Sequence, residues 1–380
     1  MTKVYLDHAA TTPLHPDVTA KFTELLGSLF GNPSSIHSYG REARKWLDGA
    51  RKIMAQSINA KPGEIIFTSG GTEADNIAVY GTAAAMKTKG NHIITTNIEH
   101  HAVLNPCKQL ELEGYEVTFL EADINGRIDV SQVKEALTDK TILVSIMLGN
   151  NEVGTVQPIQ EIGELLKDHQ AIFHTDAVQA YGIIPIDVEE LGVDLLSVSA
   201  HKLNGPKGVG YLFERTGTNT VPRMHGGEQE RKRRAGTENV PAIVAFSEAV
   251  TIAQQSIEDN EKKYKTFENR LTTVFDEQGL HYHVNAIETA RLPHIVNVSF
   301  PGTDIESLLV NLDMAGVCVS SGSACTAGSL EPSHVLTAMY GEGAPELRNS
   351  VRFSFGLGLE EQQINEAALK TADIINRLVK

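Results

Sequence analysis

The chain is short of cysteine, of positive charge and of long apolar runs. Its 380 residues hold three cysteines, at 107, 318 and 325, far apart and with no CxxC pair. That argues against a disulfide framework and against a zinc–thiolate site, and no metal is expected. Lys and Arg number 33 against 48 Asp and Glu, a net charge of −15. A general nucleic-acid binder would present a basic surface, so direct nucleic-acid binding is not expected. One basic run, Arg231-Lys-Arg-Arg234, stands against this background; it reads as interface or cleft electrostatics, the rival from another class being a non-catalytic carrier or tRNA-binding adaptor. No segment approaches the ~18 to 20 apolar residues of a membrane span, and no apolar signal region opens the sequence. A cytoplasmic protein without a membrane partner is expected.

With 41% hydrophobic and 21% charged residues, a chain of this length builds a large core and two domains. Short apolar runs recur: Glu64-Ile-Ile-Phe67, His92-Ile-Ile-Thr95, Thr141-Ile-Leu-Val-Ser-Ile-Met147, Ala171-Ile-Phe-His174 and Leu195-Leu-Ser-Val-Ser199. Amphipathic stretches such as 103–113 and 159–167 lie between them. Strand and helix alternating at this spacing predict an α/β fold with a mainly parallel, doubly wound sheet. Ligands of such sheets sit at the carboxyl ends of the strands. Polar clusters are expected to converge there: Thr68-Ser-Gly-Gly-Thr72, Glu99-His-His101, Gly149-Asn-Asn-Glu152, Asp176-Ala-Val-Gln179 and His201-Lys202. A long polar helical stretch over 242–277 leads to a smaller α+β part. The expected division is a large domain over 15–255 and a small domain made of 1–14 and 256–380.

Lys202 follows the apolar run 193–199 inside a glycine-rich turn. It is either a surface lysine after a strand or an amine carried into a cleft, where it loses its proton more easily and can form a Schiff base with pyridoxal phosphate (PLP). Thr68-Ser-Gly-Gly-Thr72 before a helix-compatible stretch offers a phosphate cradle through Gly71 and Thr72. It is neither a Walker A motif nor GxGxxG. Asp176 suits a pyridine nitrogen, or a helix N-cap. His100 and His101 follow a strand, so one of the pair is expected to face the cleft, stacked on a ring. Asn151 and Gln179 suit a ring hydroxyl or loop backbone. A lysine, a phosphate cradle, an acid and a stackable imidazole are together the demands of PLP.

These motifs run in order with Tyr5-Leu-Asp-His-Ala-Ala-Thr-Thr-Pro13, Phe30-Gly-Asn-Pro-Ser34, Arg234-Ala-Gly-Thr237, Ser320-Ser-Gly-Ser-Ala-Cys325 and Arg352-Phe-Ser354. At this point the chain resembles, over nearly its whole length, the cysteine desulfurases of the NifS/IscS type, within the class V aminotransferase group of fold-type I PLP enzymes. The resemblance implies that Lys202 carries the cofactor, Asp176 pairs with the pyridine nitrogen and His100 stacks on the ring. Asn151 and Gln179 would lie near the ring hydroxyl, and Thr72, Ser199 and His201 would bind the phosphate. Thr237 would reach the phosphate of a neighbouring subunit, implying a homodimer. Arg352, helped by Asn32, would hold the substrate carboxylate.

Cys325 decides the reaction. It sits in a loop of small polar residues, which suits a thiol that takes sulfur from L-cysteine as a persulfide, leaves L-alanine and passes the sulfur to an iron–sulfur scaffold or a tRNA thiolation enzyme. Cys107 and Cys318 read as core. Either Lys202 or His100 would move the Cα proton. A selenocysteine lyase or a class V aminotransferase on the same scaffold is the alternative.

Overall fold

The computed structural model describes residues 3–218, 220–321 and 332–379. An extended N-terminal segment starts with β1 (Val4–Tyr5). Seven strands then form one sheet: β2 (Ile65–Thr68), β3 (His92–Thr96), β4 (Glu116–Leu120), β5 (Thr141–Ser145), β6 (Ile172–Asp176), β7 (Leu195–Ser199) and β8 (Gly210–Glu214). Their spatial order is β2-β8-β7-β6-β5-β3-β4. β8 runs antiparallel to both neighbours and the remaining pairs are parallel. The chain leaves β3 outward to β4 and returns as β5 on the other side of β3. The strand order therefore reverses between β3 and β5, and the turns that follow them part to open a crevice.

Strands covered on both faces bury every side chain, so β3, β5 and β7 are buried along their whole lengths and read as unbroken runs. Two further strands are not among the apolar runs read from the sequence, although β8 is buried throughout. β4 is an edge strand with only Leu120 buried, so no apolar run marks it. β8 starts inside the glycine-rich turn after Lys202.

The helix Val240–Glu277 joins two hydrophobic cores. Its first turns, from Val240 to Val250, enter the core around the large sheet. Its last turns, with Tyr264, Phe267, Leu271 and Phe275, enter a second core with Val4, Leu6, Phe300, Phe353 and Ile375. The sequence shows no apolar run of membrane-spanning length here, yet by length and mean hydropathy alone part of this helix is long and apolar enough to cross a membrane. In the fold 56% of that stretch is buried. Around the second core, β9 (His283–Val284), β10 (Ile295–Ser299) and β12 (Ser350–Ser354) form an antiparallel sheet with β10 in the middle. β11 (Val317–Cys318) pairs in parallel with β1, so the N-terminal segment is fixed to the second core before it crosses to the first.

Candidate active site

At the carboxyl ends of β3, β5, β6 and β7 lies a cavity of about 230 Å³. Lys202 sits in the single turn Ala200–Lys202 that follows β7. Its Nζ donates to the carbonyl oxygens of Ala9 (2.5 Å) and Ala10 (2.9 Å). Gln179 Nε2 also donates to Ala9 O, at 2.8 Å. The N-terminal segment thus forms one wall of the cavity.

The helix Gly71–Ala85 points its N-terminus at the cavity, where free N–H groups and the positive dipole end favour an anion. Gly70 precedes it with φ +151°, a backbone that side-chain-bearing residues avoid. A Cβ added at Gly71 would lie 2.7 Å from Val178 Cγ2, so both glycines answer a geometric demand. Thr72, Ser199 and His201 line the same end. His201 Nδ1 is 3.1 Å from Thr11 Oγ1.

Asp176 closes β6 as a buried acid, with Oδ1 accepting the Val178 N–H at 2.8 Å. Both sequence readings of Asp176 thus coexist: one oxygen caps a turn, and the residue lines the cavity. Burial raises its pKa to about 6, against the Val178 bond and the nearby Lys202 charge. His100 is the N-cap of the helix His101–Leu112, its Nδ1 accepting the Ala102 N–H at 3.1 Å. Burial and then the positive charge of Lys202 lower its pKa to about 4. The ring is neutral, and because Nδ1 is an acceptor, its proton is on Nε2. Pro106 inside that helix leaves the Ala102 carbonyl without its usual donor, and Asn76 Nδ2 supplies one at 3.4 Å.

Across the cavity, Arg352 is 2% exposed in the middle of β12. It donates to Asn151 O at 2.8 Å and to Asp7 Oδ1 at 2.8 Å. A guanidinium held by a carbonyl and a carboxylate is a fixed fork for a small carboxylate.

Of the residues picked from sequence, Gly71, Thr72, His100, Asn151, Asp176, Gln179, Ser199, His201, Lys202 and Arg352 all line this cavity. Asn32 does not: it is exposed, and its Oδ1 accepts the Ser34 N–H at 2.8 Å. Thr237 is exposed and away from the cavity of its own chain. Cys325 lies outside the described residues. His101 lines the cavity beside His100; strand alternation does not apply, because the pair starts a helix. Cys107 is buried, which pushes its thiol up to about 12, whereas Cys318 is only half-buried. The basic run is largely matched within the chain: Arg233 faces Glu214 at 3.4 Å, Arg234 faces Glu73 at 2.7 Å and Lys232 faces Glu228 at 3.1 Å. Asp75, Glu152 and His334 also line the cavity and carry no sequence signal beyond their neighbourhood. Asp7 belongs to the N-terminal motif, but nothing in one sequence ties it to Arg352.

A lysine, an anion cradle, a buried acid and a neutral imidazole in one cavity fit a phosphorylated pyridine aldehyde. The two glycines fit its phosphate, and Asp176, with one oxygen spent on Val178, fits a ring N–H.

Comparison with known proteins points the same way. The family described as Aminotransferase class-V matches residues 4–366. A putative cysteine desulfurase IscS 1 of Bacillus subtilis is 57% identical over 378 residues, covering 100% of both chains. A cysteine desulfurase IscS of Methanosarcina thermophila is 46% identical, covering 99% of this chain and 92% of that one. Among solved structures, a NifS-like protein superposes with a TM-score of 0.92 at 34% identity, covering 99% and 100% of the two chains. SspA in complex with cysteine superposes with a TM-score of 0.81 at 37% identity, covering 93% and 99%.

Proposed function

We propose, from the premise that the chain belongs to the class V aminotransferase family and is a PLP-dependent cysteine desulfurase, that Lys202, Arg352 and Cys325 divide the reaction between them. The enzyme turns L-cysteine into L-alanine. The bound cofactor supplies an electron sink that loosens the bonds at the substrate Cα. Every other step falls to the chain's own groups.

Arg352 holds the substrate carboxylate, oriented by Asp7 and by the Asn151 carbonyl. Lys202, once neutral, moves the proton at the substrate Cα. We assign this step to Lys202 rather than His100, because the His100 Nδ1 already accepts the Ala102 N–H at 3.1 Å. His100 serves instead as a neutral donor and stacking surface. When the cofactor binds, Asp176 would hold the ring nitrogen, Asn151 and Gln179 the ring hydroxyl, and Gly71, Thr72, Ser199 and His201 the phosphate. The Cys325 thiolate attacks the substrate sulfur; the Cβ–S bond breaks, a persulfide forms on Cys325, and the carbon fragment takes up protons to leave as L-alanine.

The exposed Thr237, remote from its own cavity, supports a homodimer in which it completes the neighbour's phosphate site. The persulfide passes to an iron–sulfur scaffold protein or a tRNA thiolation enzyme in the cytoplasm. The observation that carries this reading is the placement of Lys202 and Arg352 on one cavity. Cys325→Ser should keep the absorbance of the bound cofactor and lose alanine formation. Alanine formation that survives this substitution would remove Cys325 from the mechanism and favour a lyase without a protein thiol.

A further inference from the structure

The floor of the cavity sets two buried acids, Asp75 and Asp176, close together near Lys202. Asp75, on the helix Gly71–Ala85, is 1% exposed and Asp176 is 5%; Glu99, after β3, is 0% exposed and lies outside the cavity lining. A carboxylate oxygen of Asp75, one of Asp176 and a ring nitrogen of His100 all lie within 4.8 Å of one another. Besides Asp176 itself, the groups facing Asp75 from the sheet are neutral, His174 and the hydroxyl of Ser197. His174 on β6 has Nε2 3.6 Å from Asp75 Oδ1. It bridges Ser145 Oγ at 2.8 Å and Ser197 Oγ at 3.0 Å, and burial lowers its pKa to about 3. His100 is neutral as well. Asp75 Oδ1 and Glu99 Oε2 are buried and accept no hydrogen bond among the described residues. Lys202, after β7, is the cation whose charge reaches both His100 and Asp176.

Buried carboxylates that share a site do not ionise together, because nothing solvates the second charge. We propose that Asp75 and Asp176 form an acid pair carrying a single negative charge, held on Asp176, and that neutral Asp75 is the positioning residue that keeps Asp176 charged and aimed at the cofactor ring. The charge belongs on Asp176 because that residue has the Val178 N–H and the nearby Lys202. Glu99 has two donors, Thr96 Oγ1 and Met147 N, but both reach Oε1 alone. Burial raises its pKa to about 8. Burial and the Asp176 charge push Asp75 up as well, against a hydrogen bond with the Ser197 hydroxyl. A neutral acid beneath a charged one behaves as a fixed donor, and its proton is the reserve that keeps the pair at one charge as pH changes. This rests on Asp176 facing the ring nitrogen.

The test uses the holoenzyme and its Asp75→Asn, Asp75→Ala and Asp176→Asn variants. The absorption of the bound cofactor is followed from about pH 6 to about pH 10, and the rate of cofactor loss on dialysis is measured. Asn copies a neutral acid, so Asp75→Asn should keep the wild-type pH profile and release the cofactor within about two-fold of the wild-type rate. Asp75→Ala removes the donor and should shift the profile by about one pH unit and speed release about ten-fold. Asp176→Asn should change both most. If Asp75→Asn behaves as Asp176→Asn does, the charge sits on Asp75 and the proposal falls. If Asp75→Ala matches wild type, Asp75 positions nothing. If Asp176→Asn alone is silent, the assignment of Asp176 to the ring is what fails.

Discussion

Glu230→Ala should cost this protein stability out of proportion to the size of the change. Glu230 and Arg51 form a pair with side chains 2% and 10% exposed, joined by bonds of 2.6 and 2.8 Å. Glu230 also accepts the Phe67 N–H of β2 at 3.1 Å. Arg51 in turn donates to Ile65 O at 2.7 Å and lies over the Phe67 ring. Alanine leaves the guanidinium buried against an edge it cannot satisfy, a loss of about 3–5 kcal/mol. The pair also holds a strained backbone, since Glu230, Arg231 and Lys232 all have positive φ (47°, 58° and 69°). With an unfolding entropy of about 2.1 cal/mol/K per residue, the expected fall in melting temperature is about 4–6 °C. Calorimetry of the holoenzyme measures it. The same segment leads into Arg234, which grips Glu73 beside the phosphate cradle, so cofactor release on dialysis should quicken too. Arg51→Met combined with Glu230→Leu removes both charges and should recover most of the loss. A single-variant cost below about 0.5 kcal/mol, the level of an ordinary surface change, would refute this account, as would a double variant less stable than the sum of the singles.

Arg352→Lys keeps the charge and loses the fork; KM for L-cysteine should rise about ten-fold or more while kcat changes less, and an unchanged KM would take Arg352 off the substrate carboxylate. Gly70→Ala has room for its Cβ, 3.7 Å from Ser199 Oγ, but places a side chain at φ +151°, so a strain of about 1–3 kcal/mol should appear as weaker cofactor retention. Equilibrium dialysis at several cofactor concentrations would show it, and wild-type retention would mean the cradle does not need that backbone. Stability should also depend on pH in a stated direction. Burial holds His8, His100 and His201 at about 4 and His174 and His294 at about 3, below the ordinary 6.5. These groups stabilise the fold above about pH 6.5, and that contribution is lost as pH falls toward 4 and 3. Glu99 acts oppositely: raised from 4.5 to about 8, its contribution is present below pH 4.5 and lost as pH rises through 8. Urea unfolding of apoprotein across this range should give an acid limb that His174→Asn makes shallower; an unaltered limb would mean His174 is already neutral in the unfolded chain.

The site was legible in the sequence because a parallel sheet gathers its chemistry at strand ends. Each apolar run ends at the polar group that the fold needs, so Lys202, Asp176 and the glycine cradle could be placed without knowing which strands were neighbours. What stayed hidden depends on pairings across distance. Asp7 meets Arg352 only because β1 joins the second core, and Asp75 reaches Asp176 only because the helix after the cradle lies back along the sheet. Asn32 was drawn to the substrate by its motif, yet its side chain serves its own turn. The two histidines were separated by a strand rule although the strand had ended four residues earlier, at Thr96.

The N-terminal segment has a consequence for anyone who shortens or re-circularises the chain. Between Tyr5, whose register partner is Cys318, and Ala10, whose carbonyl holds Lys202, there are four residues. They form a taut line from the strand just ahead of the cysteine loop to the reactive amine, and Asp7 on that line grips Arg352. New termini or a fusion junction placed within it would slacken the line at all three points together. Cys318 and Lys202 are thus tied to the same short segment.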